Sequence, residues 1–467
     1  MLTGLVLIYL IVLMWFGFCG ERHSSSGRAF LTSGGRAGAL LCALSLVSTI
    51  IGGSATLGMG SLAQKIGSGA FWWLGVGAVG LLLHGWIAPK IRALPAVTLP
   101  EVVGVVAGRN AERWAGVIIA VSWIAVTAAQ FVALHTLLLT LSSPLAAEVL
   151  YVMIAGVVIV HTITGGQSAV IRTDAFQAVL LLGGFTAAAF WLLGDRPDAV
   201  MALDPVPLGD RFGPWDLGRM MLLVGITYVV GPDMFSRTFT ARDGQSARFA
   251  AWIASPCLVW FGVVVTGLAL LNLQDPQPVA GWLSSASEMP AWLKGALALG
   301  LISALCGSAD TVLLSASGIV ERSLLAGDRT NAVRFFVGVF GFAAAAAVYV
   351  SKDIIWLLLT AYSFFVPGVA LPLLIALIGR VRRLNAQLWT AGAVFGGIGG
   401  LVGNVTGDEV WTFAGMGVSA AFAVAPVSRR LRAVRTPSAR SAERGLRALR
   451  NLCFRGQNGL FLKRNGR

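Results

Sequence analysis

Two adjacent glycines interrupt the second apolar stretch of the sequence. Gly52 and Gly53 lie within Leu44–Gly58. Four hydroxyl residues surround them: Ser48, Thr49, Ser54 and Thr56. Each glycine weakens a helix by about 1 kcal/mol relative to alanine, so we expect the backbone to unwind here. An unwound segment exposes carbonyl oxygens, which are ligands for a hard cation. The alternative is that the glycines only allow close helix packing.

A second interruption falls within residues 213–236, where Gly231 and Pro232 precede Asp233. Proline lacks the backbone N–H that a helix needs, so it ends or kinks the helix. Matched interruptions in two halves of a membrane protein are typical of a transporter binding site. We therefore expect both interrupted helices to line one site.

Hydroxyl groups follow one face of a third segment, Ser303–Ser317. Ser308, Thr311 and Ser315 recur at helical spacing. Such a face can line an ion site, or its hydroxyls can bond back to the carbonyls of their own helix. Asp310 lies among them, and a carboxylate inside an apolar span needs a cation, a partner or a proton. Asp310 is a candidate for an ion path, and the alternative is a polar residue in the bundle interior.

A fourth polar segment, Thr162–Gln177, is expected to form an inside loop that enters the sixth span. Its Asp174 falls at the start of that span. From its position alone a structural role is favoured, because a helix N-terminus stabilises a carboxylate.

Common catalytic and metal-binding motifs are absent from the sequence. The four histidines and five cysteines form no cluster at ligand spacing. No phosphate-binding loop supports an ATP-driven pump. No nucleophile elbow or catalytic pair of acids is present. We therefore expect neither an enzyme nor an organic cofactor.

The elements that hold these residues are predicted to be membrane helices. Hydrophobic residues make up 56% of the 467 residues and charged residues 12%, too few charges for a soluble surface. A spanning helix needs about 20 apolar residues. Windows without Asp, Glu, Lys or Arg are 2–20, 37–64, 66–89, 114–147, 149–171, 175–194, 249–274, 354–379, 384–407 and 410–428. Weaker spans are 213–236, 292–320 and 335–351. Together they predict an all-α polytopic protein with about thirteen transmembrane helices.

Basic residues are concentrated on one side of this topology. With the N-terminus outside, 29 of the 35 Lys and Arg residues fall in inside segments, Arg237 among them. This asymmetry obeys the positive-inside rule and predicts an inner-membrane protein with a cytoplasmic C-terminus.

The C-terminal tail is strongly basic. Residues 1–428 are expected to form one transmembrane domain, and 429–467 a cytoplasmic tail with twelve Lys and Arg residues. We expect the tail to bind anionic lipid, at about 1 kcal/mol per basic residue near the surface. The alternative is a disordered tail in solvent, and no nucleic-acid binding is expected.

The polar segments resemble the motifs of the sodium/solute symporter family, the group of sodium-coupled glucose, proline and pantothenate transporters. The matching segments, in family order, are Ile51–Gly67, Thr162–Gln177, Pro232–Arg237 and Ser308–Ser317. The resemblance implies a LeuT-type fold of two inverted five-helix repeats, about 39–194 and 213–378. One helix would precede the repeats and two would follow them.

The resemblance also implies site residues. In that family, oxygens of the broken first core helix and of the eighth core helix hold Na+. The matching positions here are Ser48, Ile51, Ala304, Gly307 and Ser308. The family usually has a pair of hydroxyl residues where this chain has Gly307 and Ser308, so one hydroxyl ligand is missing. Asp174 matches the family's acidic residue near the sodium exit path, so the resemblance makes it a second residue of the ion path beside Asp310. The solute is expected beside Gly52, Gly53, Ala55, Gln130, Thr227 and Tyr228.

The function that the resemblance implies is Na+-coupled symport of a small organic solute by alternating access. An amino acid and a monocarboxylate both fit a pocket of small, mostly apolar residues. Two alternatives stay open: a proton-coupled symporter of the same fold, favoured by the missing hydroxyl, and a non-transporting membrane sensor of a solute.

Overall fold

A computed structural model describes residues 2–19, 26–204, 206–284, 288–378 and 385–424. The predicted basic tail, 429–467, lies outside the described residues. Four of the predicted inside arginines also lie outside them: Arg22, Arg380, Arg382 and Arg383.

The described residues are almost entirely helical, as predicted. Backbone groups in hydrocarbon must bond within their own segment, which favours helices for apolar windows of this length. The helices are α1 Leu2–Cys19, α2 Gly27–Thr32, α3 Ala39–Ile50, α4 Met59–Ile66, α5 Trp72–Arg92, α6 Leu99–Ala107, α7 Arg109–Leu141, α8 Pro144–Asp195, α9 Pro197–Met201, α10 Pro214–Met220, α11 Ile226–Val229, α12 Pro232–Thr240, α13 Gly244–Leu270, α14 Ala291–Ile319, α15 Thr330–Ala346, α16 Ile354–Phe365, α17 Leu371–Ile378, α18 Ala386–Thr406 and α19 Glu409–Val424.

Among the described residues, eight helical stretches are long and apolar enough to cross a membrane. Three shorter apolar helices accompany them, in α1, α3 and α19. The protein is therefore an integral, multi-pass membrane protein. The number of thirteen spans, the outside N-terminus and the inner membrane stay predictions.

The predicted inside loop at Thr162–Gln177 is wrong, because helix surrounds a single break. Helix α8 is 52 residues long and leaves the helical conformation only at Gly166, with φ 53° and ψ −152°. Glycine adopts this φ readily because it has no Cβ, and a Cβ here would lie 2.5 Å from the ring of Phe30. Asp174 consequently lies inside a helix, two turns beyond the break, and not at a helix N-terminus.

Helix α14 lies at the centre of the bundle. Its most apolar window is 94% buried, and that of α7 is 78% buried, whereas that of α15 is 28% buried. Peripheral helices expose large apolar side chains such as Trp15, Phe342 and Phe395, as expected of surfaces that face lipid. Polar residues on α14 are therefore remote from water and need partners within the protein.

Both predicted helix interruptions are confirmed. Helix α3 ends before Ile51, which has φ −85° and ψ 76°. A π-helical turn, Ser54–Gly58, then leads into α4. Helix α11 ends before Val230, which has φ −132° and ψ 49°, and α12 begins at Pro232.

Candidate ion and solute site

The break after α3 releases two backbone carbonyl oxygens. A continuous helix would pair the Ser48 oxygen with the N–H of Gly52, and the Thr49 oxygen with that of Gly53. Instead the N–H of Gly52 donates to the carbonyl of Ile50 at 3.0 Å. The N–H of Gly53 leaves the helix and donates to a side chain of α7 at 2.7 Å. The Ser48 and Thr49 carbonyls are therefore free to bind other groups.

The hydroxyl of Ser308, on α14, reaches these released carbonyls. Its Oγ donates to the Thr49 oxygen at 2.7 Å and lies 3.3 Å from the Ser48 oxygen. All three residues are buried. Main-chain oxygens of the broken helix and a hydroxyl of the central helix thus meet out of contact with water. Hard cations prefer oxygen ligands of this kind.

Gly52 lets three helices approach one another at this point. A Cβ on Gly52 would overlap both Oε1 of Gln130, on α7, and Oγ of Ser308. The Oε1 atom of Gln130 is also the acceptor for the N–H of Gly53. Close packing and exposed carbonyls, which the sequence left as alternatives, therefore occur together.

The space beside Gly307 is filled by polar side chains from neighbouring helices. A Cβ on Gly307 would overlap Oγ of Ser48 and Oε1 of Gln177, and would lie 3.2 Å from Oδ1 of Asp174. Ser48 Oγ donates to Gln177 Oε1 at 3.3 Å, and Gln177 Nε2 donates to the hydroxyl of Tyr9 at 2.8 Å. The hydroxyl missing at position 307 is thus replaced in space by the hydroxyl of Ser48.

The other predicted ion ligands lie on the same two segments. Ile51 and Ala304 are both 0% exposed. Ile51 directly follows α3, and Ala304 lies one turn before Ser308 on α14. Of the five predicted Na+ ligands, Ser48, Gly307 and Ser308 are in mutual contact.

A buried arginine joins four helices next to this cluster. Arg237, on α12, donates through Nη2 to Oδ2 of Asp174 at 2.6 Å. The same nitrogen reaches Oγ1 of Thr49 at 2.9 Å and Oγ1 of Thr311 at 2.5 Å. Its Nε donates to Oγ of Ser45 at 2.8 Å. The predicted position of Arg237 in an inside loop is wrong, because α12 carries the side chain into the core, where it is 1% exposed.

Acidic groups outnumber Arg237 in this part of the core. Asp174, Asp233 and Asp310 are all buried. Oδ1 of Asp174 and Oδ1 of Asp310 have no hydrogen-bond partner among the described residues. Asp174 is paired with Arg237 through its Oδ2, whereas no ion pair is found for Asp310 among the described residues. This excess of buried negative charge is costly, so it points to a function that brings positive charge to the site.

A cavity of about 40 Å³ lies beside the broken helices. The predicted solute residues Gln130, Thr227 and Tyr228 line it, and so does Ser308. The other three predicted solute residues, Gly52, Gly53 and Ala55, are buried but are not among its lining residues. Because Ser308 reaches both, the ion cluster and the cavity adjoin.

Sequence reasoning missed several residues of this site. Gln177 and Arg237 lie inside motifs that the sequence analysis had identified. Their side-chain contacts with other helices could not be predicted from those motifs. Tyr9 and Trp123 carried no sequence pattern that marked them. Asp233 was noted only as part of the second interruption, yet it lines the cavity.

The fold of this chain matches solved structures of two LeuT-fold transporters. A Na+-coupled sialic acid symporter in a substrate-bound outward-open state matches with a TM-score of 0.71 and 15% identity, over 90% of this chain and 96% of that chain. A nucleobase-cation-symport-1 family transporter, closed with bromovinylhydantoin bound, matches with a TM-score of 0.60 and 11% identity, over 88% of this chain and 97% of that chain. At these identities the likeness concerns the fold.

A sequence comparison matches part of the chain to a family model. Residues 30–194 match the model of the Sodium:solute symporter family. This match confirms, over that part of the chain, the resemblance of the motifs to that family. Membership of the glucose, proline and pantothenate group stays a suspicion.

Proposed function

We propose that this protein is a Na+-coupled symporter of a small organic solute that works by alternating access. One observation carries the proposal: the buried hydroxyl of Ser308 contacts two carbonyl oxygens that the break in α3 releases. The proposed moving parts are the repeats 39–194 and 213–378 within one transporter domain, 1–428. We retain the proposed orientation, with the N-terminus outside and the lipid-binding tail in the cytoplasm.

In the proposed site, carbonyls of Ser48, Ile51, Ala304 and Gly307 and the hydroxyl of Ser308 bind the transported Na+. The ion would join α3 to α14 more firmly than the Ser308 hydrogen bond does alone. Because Ser308 also lines the cavity, fixing it would order one wall of the solute site. Binding of ion and solute would then favour each other, as linkage requires.

The electrochemical gradient of one Na+ is sufficient for concentrative uptake. One charge that moves across 100 mV contributes about 2.3 kcal/mol. A tenfold concentration ratio adds about 1.4 kcal/mol. Together they support accumulation of roughly several-hundredfold.

Proton coupling is the second candidate. It is favoured by Asp310, whose Oδ1 has no hydrogen-bond partner among the described residues, since a buried carboxylate without a partner can carry a proton. Asp174 has one such oxygen as well, although its other oxygen is paired with Arg237. In this candidate the two ion-path residues Asp174 and Asp310 would release and bind H+ during the cycle. Uptake would then depend on the pH gradient and be equal in sodium and choline buffers.

Substitution Ser308→Ala is expected to raise the Na+ concentration for half-maximal stabilisation at least tenfold. A hydrogen bond or ligand bond to a charged group contributes about 1.5–3 kcal/mol, which accounts for that ratio. The measurement is thermal unfolding of the purified protein in detergent, as Na+ replaces choline at constant ionic strength. This readout needs no knowledge of the solute.

Ser317→Ala is the matched control for this experiment. Ser317 is also a buried serine of α14, but its hydroxyl donates to the carbonyl of Leu313 at 2.8 Å, within its own helix. We expect this variant to respond to Na+ as the wild type does. A wild-type protein that Na+ does not stabilise relative to choline would disprove sodium coupling and favour the proton-coupled candidate.

A further inference from the structure

Asp233 presents a carboxylate to the cavity without a cationic partner. Its Oδ1 accepts a hydrogen bond from Nε1 of Trp123 at 2.9 Å, and the hydroxyl of Ser315 and the charge of Arg237 also stabilise the carboxylate. No ion pair within 4 Å is found for it among the described residues. Asp233 is 8% exposed and lines the cavity. Its carboxylate is therefore buried, held in one orientation and directed at the space where a solute would bind.

The nearest arginine along the chain forms no ion pair with Asp233. Arg237 lies one turn further along α12, and its Nη2 bonds to Asp174, Thr49 and Thr311. Its Nη1 has no hydrogen-bond partner among the described residues, and its charge acts on Asp233 without direct contact. The N-terminal end of α12 stabilises the negative charge of Asp233 by its dipole. That contribution is small beside the cost of burying an unpaired charge. A cation from outside the chain would remove most of this penalty.

The other walls of the cavity suit a positively charged nitrogen. Trp123, Tyr228 and Tyr362 contribute aromatic rings, and Thr227 and Ser54 contribute hydroxyls. Aromatic faces attract cations, most strongly where water is excluded. No lysine, arginine or histidine is among the described lining residues, so a solute that carries only a carboxylate would find no opposite charge.

We propose that Asp233 binds a cationic nitrogen of the solute, so that the transported compound is a compact amine or amino acid rather than a monocarboxylate. This inference rests on the proposed transport function and deepens it. The cavity volume of about 40 Å³ compares with roughly 10–15 Å³ for one water molecule. The state of the protein in this structure therefore accommodates only a small solute.

The test uses three-carbon probes that differ in charge: alanine as the zwitterion, propylamine as the cation and propionate as the anion. Binding to the purified full-length protein in Na+ is measured by thermal unfolding. We expect propylamine or alanine to stabilise the wild type and propionate not to do so. A response to alanine alone indicates an amino acid, and a response to propylamine alone indicates an amine. A response to propionate alone, or to none of the three, overturns the proposal.

The variant Asp233→Asn tests the negative charge of Asp233 separately from its hydrogen bond with Trp123. The amide oxygen still accepts the bond from Trp123, while the negative charge is lost. We expect half-saturation by the nitrogen-containing probe to rise about thirtyfold or more, since loss of one partner of a buried charge pair costs about 2 kcal/mol or more. If Asp233→Asn binds the probes as tightly as the wild type does, Asp233 serves only as a structural hydrogen-bond acceptor and the proposal is overturned.

The control variant is Asp353→Asn. Asp353 also lies at a helix N-terminus, where it accepts the N–H of Trp356 at 2.9 Å, but it is not among the lining residues of the cavity. It should bind the probes as the wild type does. Stabilisation by Na+ without any probe reports on the ion site alone. If Na+ still stabilises Asp233→Asn but the probes no longer bind, the ion site is intact and only recognition of the solute is lost. Such a result bears on the solute class and leaves the proposed ion coupling standing.

Discussion

Asp174→Asn is expected to lower the thermal stability of the protein sharply and to abolish its response to Na+. The carboxylate is 0% exposed and pairs with Arg237, which is 1% exposed, at 2.6 Å. Removal of one member of a buried ion pair leaves the other charged and unpaired, which costs about 3–5 kcal/mol. The loss should be large because the same guanidinium also holds Ser45, Thr49 and Thr311.

A double-mutant cycle distinguishes this ion pair from simple damage to the fold. The variants are Asp174→Asn, Arg237→Gln and their combination, each measured by thermal unfolding in detergent. The double variant contains two neutral amides and no unpaired charge at positions 174 and 237, so we expect it to be more stable than either single variant. Such a coupling is the signature of groups in direct contact.

An exposed ion pair supplies the control. Glu288 accepts from Nη2 of Arg196 at 2.7 Å, and the two side chains are 71% and 39% exposed. Exposed pairs contribute about 0–1 kcal/mol, so Glu288→Gln should unfold close to the wild-type temperature. Additive effects of the two buried substitutions would show that Arg237 and Asp174 act independently, contrary to the structure.

Local sequence features predicted the parts of the fold that depend on local chemistry. Gly52 and Gly53 predicted the first interruption and Pro232 the second, because glycine and proline change the backbone wherever they occur. The hydroxyl face of α14 followed from helical spacing. These predictions needed no knowledge of which helices touch.

Contacts between distant segments could not be predicted in the same way. Arg237 and Ser45 are 192 residues apart, and Arg237 and Thr49 are 188 apart. Counting basic residues by side treats every arginine as solvated, so Arg237 was assigned to an inside loop. The loop prediction at Thr162–Gln177 also failed. Only one residue there, Gly166, has a non-helical conformation, and the chain is helical on both sides of it.

The missing hydroxyl at position 307 shows what a motif comparison leaves out. Compared with the family pattern, Gly307 lacks a ligand, so a serine there should strengthen Na+ binding. In the structure the same space already holds Oγ of Ser48 and Oε1 of Gln177. The two descriptions give opposite expectations for one substitution.

We expect Gly307→Ser to weaken the Na+ response at least tenfold and to destabilise the protein. Its Cβ would overlap Ser48 Oγ and Gln177 Oε1, and forcing extra atoms into a packed core costs about 1–3 kcal/mol. Gly300→Ser is the control on the same helix, because its Cβ would have no neighbour closer than 3.4 Å. Thermal unfolding in Na+ against choline measures both variants.

The combination Gly307→Ser with Ser48→Ala moves the hydroxyl from α3 to α14. Ser48→Ala keeps the proposed carbonyl ligand and removes the Oγ atom that would clash, while Gln177 can shift because the end of its side chain is flexible. If the hydroxyl of Ser48 takes the place of the missing one, the exchange should recover much of the Na+ response that each single variant loses. A stronger Na+ response in Gly307→Ser alone would show instead that position 307 lacks a ligand, and that the Ser48 hydroxyl only fills space.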